Sequence, residues 1–326
     1  MLPARFDLEI LPMLAPRVAA LIQAAALHLP APLEEIRLRE DRPLHLVYSG
    51  GDSFVATCDG ELTPDPSRAA TATHDDLLRT FQLMAQGSVY AWEDEIRGGF
   101  LTLQGGHRVG LAGRAVTDGG RIKTLKHVSS LNIRIAREIL GCATGLLPRL
   151  VGSGRLVSTL LISPPQAGKT TMLRDLVRQV SRGAPMAGLR GCKVGLVDER
   201  SEVAGCCAGV PQRDVGPRTD VLDACPKAEG LMLLIRSLSP AVVAVDEIGR
   251  PADAEAVMEA LHAGVAVLAT AHGHSLEDVA RRPALAELIR AGAFGRAVIL
   301  GRSRGPGTVE QVMDLPCYPG GGRVAG

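Results

Sequence analysis

The sequence predicts an α/β protein: a P-loop NTPase domain with a mostly parallel sheet, preceded by a smaller α+β domain. Three observations carry this. After residue 156, nearly continuous apolar runs alternate with helical patterns, as buried parallel strands with helical crossovers require. One of those runs, VSTLLIS (157–163), passes through SPPQAGKTT (163–171) into the helical TTMLRDLVRQV, the strand–loop–helix order of a phosphate loop. Before residue 150 the texture differs: amphipathic helical segments mix with short strands that alternate apolar and polar residues.

The chain has 326 residues, room for two domains of ordinary size. The expected division is an N-terminal α+β domain at 1–150, the P-loop domain at 151–310 and a C-terminal tail at 311–326, with Val151-Gly152-Ser153-Gly154 as linker. Hydrophobic residues make up 46% and charged residues 22%, the balance of a soluble globular protein. Aromatics are only 3%, so the core must be built from Leu, Val, Ile and Ala. The 36 basic and 35 acidic residues nearly cancel, which gives no support for a whole-surface nucleic-acid field. The 7 cysteines are scattered without a C-x-x-C pair, and adjacent Cys206 and Cys207 would make a strained bridge. Reduced thiols in a cytoplasm are expected. Met1–Glu9 lacks a signal-peptide apolar core, and no run approaches bilayer-spanning length.

In the first half, residues 12–29 place Val18, Leu21, Ile22, Ala25 and Leu29 on one helical face, bracketed by Pro12, Pro16 and Pro30. LEEIRLRE (33–40) and HLVYSGG (45–51) read as strands, the second running into a turn at Gly50-Gly51. His74–Met84 is a second amphipathic helix. GFLTLQGGHRVGLAGRAV (99–116) alternates around Gly105-Gly106 as a hairpin would, Asp118-Gly119-Gly120 supplies another tight turn, and LNIRIARE (131–138) is a strand carrying Arg134. In the second half the strands after VSTLLIS are CKVGLVDE (192–199), AVVAVDE (241–247), VAVLATAH (265–272) and AVILGRS (297–303). The glycine-rich end, GGGRVAG (320–326), is expected to be disordered.

The chemistry concentrates where those strands end. In SPPQAGKTT, Ser163 stands where the generic pattern has its first glycine, and Gly168, Lys169 and Thr170 match the rest. The main-chain N–H groups of Ser163, Pro164, Pro165, Gln166, Ala167, Gly168, Lys169, Thr170 and Thr171 that exist (the prolines have none) would cradle phosphate oxygens at a helix N-terminus. Lys169 would neutralise β- and γ-phosphate charge, and the Thr170 hydroxyl would ligate Mg²⁺. AVVAVDEIG delivers Asp246 and Glu247 at a strand end, Asp246 to hold Mg²⁺ and Glu247 to polarise the attacking water. GLVDERSEVAG brings Asp198, Glu199 and Glu202 to a second strand end, where Glu199 is the other candidate for orienting water. VLATAHGHS places Thr270, His272 and His274 beside the same edge. The loop PQRDVGPRTDVLDACPKAEG (211–230) carries Arg213 and Arg218 without an apolar period to bury them, as a mobile arginine offered to a neighbouring subunit would need.

Taken together these residues resemble the stage III sporulation protein AA family, a relative of the ATPases of type II and type IV secretion systems. The resemblance runs from about Leu33 to Ser303 and includes SVYAWEDEIRGGFLTLQGGHRVGLAGRAV, HVSSLNIRIAREI, the phosphate loop, VDERSEVAG, RTDVLDACPKAEG, LIRSLSPAVVAVDEIG and EALHAGVAVLATAHGHS. It implies a RecA-like ATPase domain hydrolysing ATP with Mg²⁺, working as a homo-oligomeric, hexameric ring. It also implies a catalytic carboxylate at Glu199, a second acidic box at Asp246 and Glu247, and a histidine box at His272. The arginines reaching across subunits would be among Arg213, Arg218 and Arg134. The family is associated with the mother-cell side of the channel joining mother cell and forespore, in the cytoplasm but tied to polytopic membrane proteins of the same complex. Ser163 departs from the generic loop, and the zinc-binding tetracysteine of some secretion ATPases has no counterpart here.

Two rivals share a phosphate loop. A nucleic-acid-dependent ATPase draws on the basic segment RIKTLKH (121–127), against neutral charge and few aromatics for base stacking. A small-molecule kinase would need an acceptor pocket and lid, whereas the acids at separate strand ends favour water as acceptor.

Overall fold

The computed structural model describes residues 6–56, 60–85 and 99–316. The chain divides into two compact units, 1–137 and 138–326.

The first unit is built on a seven-stranded antiparallel sheet. Its order is Leu62–Thr63, Gly51–Val55, His45–Tyr48, Leu33–Arg39, Arg121–Arg134, Arg108–Asp118, Phe100–Thr102. Alternation explains its one-sided core: Ile36, Leu38, Leu46, Leu131 and Ile133 point inward, while Arg134 and Asn132 do not join them. Helices Pro16–Ala25 and His74–Met84 add Val18, Ile22, Leu77 and Met84 to the same cluster. The first helix begins at Pro16, the position where a missing N–H costs nothing, and Leu11–Met13 forms a separate 3₁₀ turn. The strand expected at 131–138 instead starts at Arg121 and ends at Arg134, because the Gly119-Gly120 turn folds it back on Arg108–Asp118. The resemblance segment at 88–98 lies outside the described residues, as does the tail 320–326.

Asp76 fastens this unit together. It sits at N3 of the second helix in a reciprocal capping box with Thr73. It also accepts from the Arg17 guanidinium of the first helix, Nε to Oδ1 at 3.2 Å. Burial alone would raise the Asp76 carboxyl, but the bonds from Arg17 and Thr73 outweigh it and hold the group below the usual carboxylate range.

In the second unit, labels are given to the main elements alone. β1 is Thr159–Ser163, α1 Lys169–Arg182, β2 Val194–Asp198, β3 Thr219–Asp223, α2 Lys227–Leu238, β4 Val242–Val245 and α3 Pro251–His262. β5 is Ala266–His272, α4 Pro283–Arg290, β6 Arg296–Gly301 and β7 Thr308–Asp314. The sheet runs β3-β2-β4-β5-β1-β6-β7, parallel except for β7, which pairs antiparallel with β6. Both faces are covered. Leu160, Ile162, Val243, Val245, Val267 and Ala269 face α2, α3 and α4, while Leu161, Leu196, Ala244, Leu268 and Val298 face α1. Strands buried on two sides have no room for a polar alternate, which is why they read as unbroken apolar runs.

Three segments differ from expectation. Residues 138–150, assigned by sequence to the first domain, pack with the second unit, where Ala143, Leu146, Leu147 and Leu150 are buried against α1. The expected linker is a short hairpin, Val151–Gly152 paired with Arg155–Leu156. The expected tail at 311 is already inside β7, and the supposed loop 211–230 contains β3 and the start of α2.

Asp76→Asn is expected to destabilise the first unit by about 1–3 kcal/mol at neutral pH, since it removes a charged acceptor from a buried cap. Because Asp76 is held below its ordinary value, its contribution is complete above about pH 3.9 and is lost as pH falls through the lower folded value. The gap in melting temperature between variant and parent should therefore be wide at pH 7 and close under acid. Thermal melts across that range check it.

Candidate functional site

In an open parallel sheet the loops at the C-terminal strand ends share one edge, so ligands bind there. Here that edge gathers the loop after β1, Asp198 and Glu199 after β2, Asp246 and Glu247 after β4, and Thr270 and His272 at the end of β5. The strand order explains the meeting: β5 lies between β4 and β1, with Ser163 level with His272 and Val245 level with Ala269.

The loop Pro164–Gly168 turns sharply. Gln166 has φ 58 and Gly168 φ 82. A Cβ on Gly168 would stand 2.9 Å from Gly307 N, so both backbone sign and space require glycine there. Gly307 N also donates to Ala167 O at 2.8 Å, bracing the loop from the β6–β7 connection. Gly168 is the N-cap of α1 and no side chain caps it, leaving the first N–H groups of a 14-residue helix directed at the loop. Ser163 is fully buried, its hydroxyl bonds Pro164 O at 3.0 Å, and its carbonyl accepts from Gly273 N at 3.1 Å. It serves the loop's own backbone. Pro165 and Gln166 are exposed and Thr171 is half-buried.

Asp246 is the junction. Its Oδ2 accepts from the Thr170 hydroxyl at 3.0 Å, and its Oδ1 accepts from the buried Thr270 hydroxyl. Thr270 Oγ1 in turn accepts from Glu247 N at 2.8 Å. Lys169 is 7% exposed, its Nζ lies 3.9 Å from Asp246 Oδ1, and it makes no hydrogen bond among the described residues. Burial pushes its ammonium below the usual lysine range, while Asp246, Glu247 and Glu202 pull the other way without cancelling the effect. A buried ammonium with no acceptor, beside an uncapped helix N-terminus, fits a phosphate group. Thr170 and Asp246, one hydroxyl and one carboxylate, fit Mg²⁺, which is held by few protein oxygens and keeps others for phosphate and water.

Glu247 has φ 61, a left-handed backbone uncommon outside glycine and concentrated at functional sites. Both its oxygens are engaged: Oε1 lies 2.9 Å from His272 Nε2 and Oε2 3.3 Å from Arg200 Nη1. His272 Nδ1 is buried without a partner among the described residues. Glu199 is bound through Oε2 to Lys227 Nζ, and a small depression is lined by Asp198, Glu199, Arg200, Glu202, Lys227, Asp246 and Glu247.

The other candidates make their own contacts. Asp198 accepts from Glu202 N, Val203 N and Ala204 N at 2.8–2.9 Å, so it staples the turn after β2. Burial raises its carboxyl even though those three N–H groups pull it down. Arg218, expected as a mobile arginine, donates from Nη1 to Ser181 O at 2.8 Å at the C-terminal end of α1, the end away from the phosphate loop. It caps that helix. Arg213 is half-buried in the preceding loop, with its N–H on Ala204 O. Arg134 lies exposed on the first unit's sheet beside Glu35, and His274 is exposed, its N–H on Asp278. Lys227 and Arg200, which meet the candidate carboxylates Glu199 and Glu247, were not singled out from the sequence as site residues. Lys227 carried a signal: a cation straight after Pro226 at a helix start opposes the helix dipole.

A family model described as "Sporulation stage III, protein AA" matches residues 5–317. Stage III sporulation protein AA of Bacillus subtilis (strain 168) is 49% identical over 282 residues, covering 86% of this chain and 87% of that protein. The uncharacterized protein ycf45 of Porphyra purpurea is 29% identical over 179 residues, 51% of this chain and 30% of its own. Among solved structures, the ATPase DotB of Legionella pneumophila superposes with a TM-score of 0.52 at 13% identity, over 87% of this chain and 75% of that one. The pilus retraction motor PilT with bound ADP gives 0.56 at 12% identity, over 90% and 78%. The fold is that of a P-loop NTPase. Among the described residues, no helix is long and apolar enough to cross a membrane.

Arg218→Ala should cost about 1 kcal/mol of stability, the worth of a capping bond, and leave nucleotide turnover within twofold. A catalytic arginine would cost about 10³-fold or more. A melt and a turnover assay on the same preparation decide between them.

Proposed function

The chain belongs to the sporulation stage III protein AA family, and from that premise we propose that it binds Mg-ATP at the edge just described and hydrolyses it to ADP and phosphate. The observation that carries this is Lys169: a buried ammonium without a hydrogen-bond acceptor among the described residues, over an uncapped helix N-terminus and beside the Thr170–Asp246 pair. The PilT structure, solved with ADP, adds support from a chain of like fold.

The roles follow from position. The N–H groups of 166–170 and the Lys169 ammonium hold the β- and γ-phosphate oxygens. Thr170 and Asp246 would hold Mg²⁺, which when bound neutralises charge on those oxygens. Thr270 fixes Asp246 and the backbone of Glu247 at once. Glu199 takes the proton of the attacking water through its free Oε1, as the new oxygen–phosphorus bond forms and the bond to ADP breaks. Glu247 holds His272 and Arg200 near the γ-phosphate, where the pair registers whether that phosphate is present.

The wider reading is a motor. Subunits assemble as a hexameric ring, with Arg213 and Arg134 as candidates to reach a neighbour's nucleotide. Hydrolysis drives subunit closure, and closure does work on polytopic membrane proteins of a sporulation channel complex, from the cytoplasm of the mother cell. A second reading, ATP hydrolysis stimulated by nucleic acid, draws on the exposed arm of the first unit's sheet, where Arg114 lies directly across from Lys126. Like charges set opposite one another cost stability unless an anion sits between them.

Lys169→Ala should weaken Mg-ATP binding by about 10–100-fold, the loss of a charge-assisted bond. Glu199→Gln should bind normally and lose about 10²–10⁴ in turnover, the share of a general base. Calorimetry with a phosphate-release assay reads both. If Glu247→Gln, not Glu199→Gln, keeps binding and stops release, the base is Glu247. Single-stranded RNA or DNA should leave turnover unchanged across a salt series, and a salt-sensitive rise would favour the second reading.

A further inference from the structure

We propose that Lys227 is a positioning residue for the proposed hydrolysis: it grips Glu199 by one carboxylate oxygen and leaves the other to meet the attacking water. This rests on the reading of Glu199 as the base.

Lys227 stands where stability alone would not put a lysine. It is the first residue of α2, after the N-cap Pro226, so its charge faces the positive end of the helix dipole. Its side chain is only 11% exposed, and Glu199 supplies its one bond among the described residues. A buried ion pair is close to neutral for stability when measured against well-packed apolar side chains. The pair therefore calls for another explanation.

Geometry supplies one. α2 lies unusually close to β2, because Gly195 and Gly230 face the contact. A Cβ on Gly195 would stand 2.9 Å from Leu234 Cδ1, and one on Gly230 2.7 Å from Val197 Cγ1. That approach brings the start of α2 up to the end of β2, so Lys227 reaches Glu199. Only Glu199 Oε2 is bonded, and Oε1 accepts no hydrogen bond among the described residues. Glu247 has both oxygens occupied by Arg200 and His272. Of the two acids, Glu199 is the one held still with an acceptor to spare.

The arrangement does two things for a base. Anchoring one oxygen removes the side-chain freedom that would otherwise scatter the other, and reacting groups lose about 10²-fold when misplaced by an ångström. The ammonium also offsets the repulsion between Glu199 and a γ-phosphate, which an unpaired carboxylate at this edge would feel in full.

The test uses the full chain and Mg-ATP. Lys227→Met, Lys227→Gln and Lys227→Arg are made alone and in a Glu199→Gln background, and kcat, KM, nucleotide Kd and melting temperature are measured. Lys227→Met and Lys227→Gln should each lower kcat about 10–100-fold with Kd within threefold. Lys227→Arg, which can also grip one oxygen, should recover most of the rate. In the Glu199→Gln background the Lys227 changes should add no further loss, because the residue acts through the carboxylate already removed. The proposal is overturned if Lys227→Gln turns over at the parental rate while Glu199→Gln is inactive, an outcome that leaves the base reading standing. It is equally overturned if the Lys227 and Glu199 losses multiply, or if Kd rises and kcat holds. If Glu199→Gln itself turns over normally, the base reading falls and this one with it.

Discussion

The Asp246 carboxylate is the point at which the strand ends of the second unit are tied together. Its two oxygens accept the hydroxyls of Thr170 and Thr270, joining the helix after the phosphate loop to the strand beside it. That meeting depends on strand order. β4, β5 and β1 are neighbours, so residues distant in sequence, 170, 246 and 270, end on one line across the sheet edge. Each Asp246 oxygen accepts one of those hydroxyls, and the Lys169 ammonium lies 3.9 Å from Oδ1.

Around that junction the charges are arranged in local pairs. Glu199 has Lys227, Glu247 has Arg200 and His272, and Asp246 has Lys169 nearby. Carboxylates outnumber cations in the depression they line, a setting that repels a bare polyphosphate and favours one accompanied by a divalent cation. Pairing also limits what burial costs each group, since an isolated charge at a half-dry edge is expensive. Two acids of similar sequence context thereby acquire different surroundings: one is held by a single contact, the other by two.

Much of this was legible in the sequence, for identifiable reasons. Strands buried on both faces announce themselves as apolar runs, so β1, β2, β4, β5 and β6 were readable, and so were the acids and hydroxyls at their ends. The strand–loop–helix order around 163–171 was readable because its pattern is local. β3 and β7 were not. TDVLD and TVEQVMD sit at the two rims of the sheet, half-buried or exposed along their length, so they lack the continuous apolar signal and pass for loop and tail. The contact of Arg218 was hidden for a related reason. Nothing in PQRDVGPRTD marks a residue that will meet the carbonyls of Ser181 and Arg182, some 37 positions earlier. The Lys227–Glu199 pair was hidden in the same way, since it depends on how tightly a helix can settle on a strand, and two glycines decide that.

The hydrogen bond from Gly307 N to Ala167 O, with Gly168 pressed against the same residue, couples the 164–168 turn to the rim of the sheet. β7 is the antiparallel edge strand and hangs from β6 alone. The hairpin that carries it is therefore a light, one-sided spring resting on the cradle. Any displacement of the 164–168 turn must either drag that spring along or let go of it, so the periphery of this unit is tied to its centre.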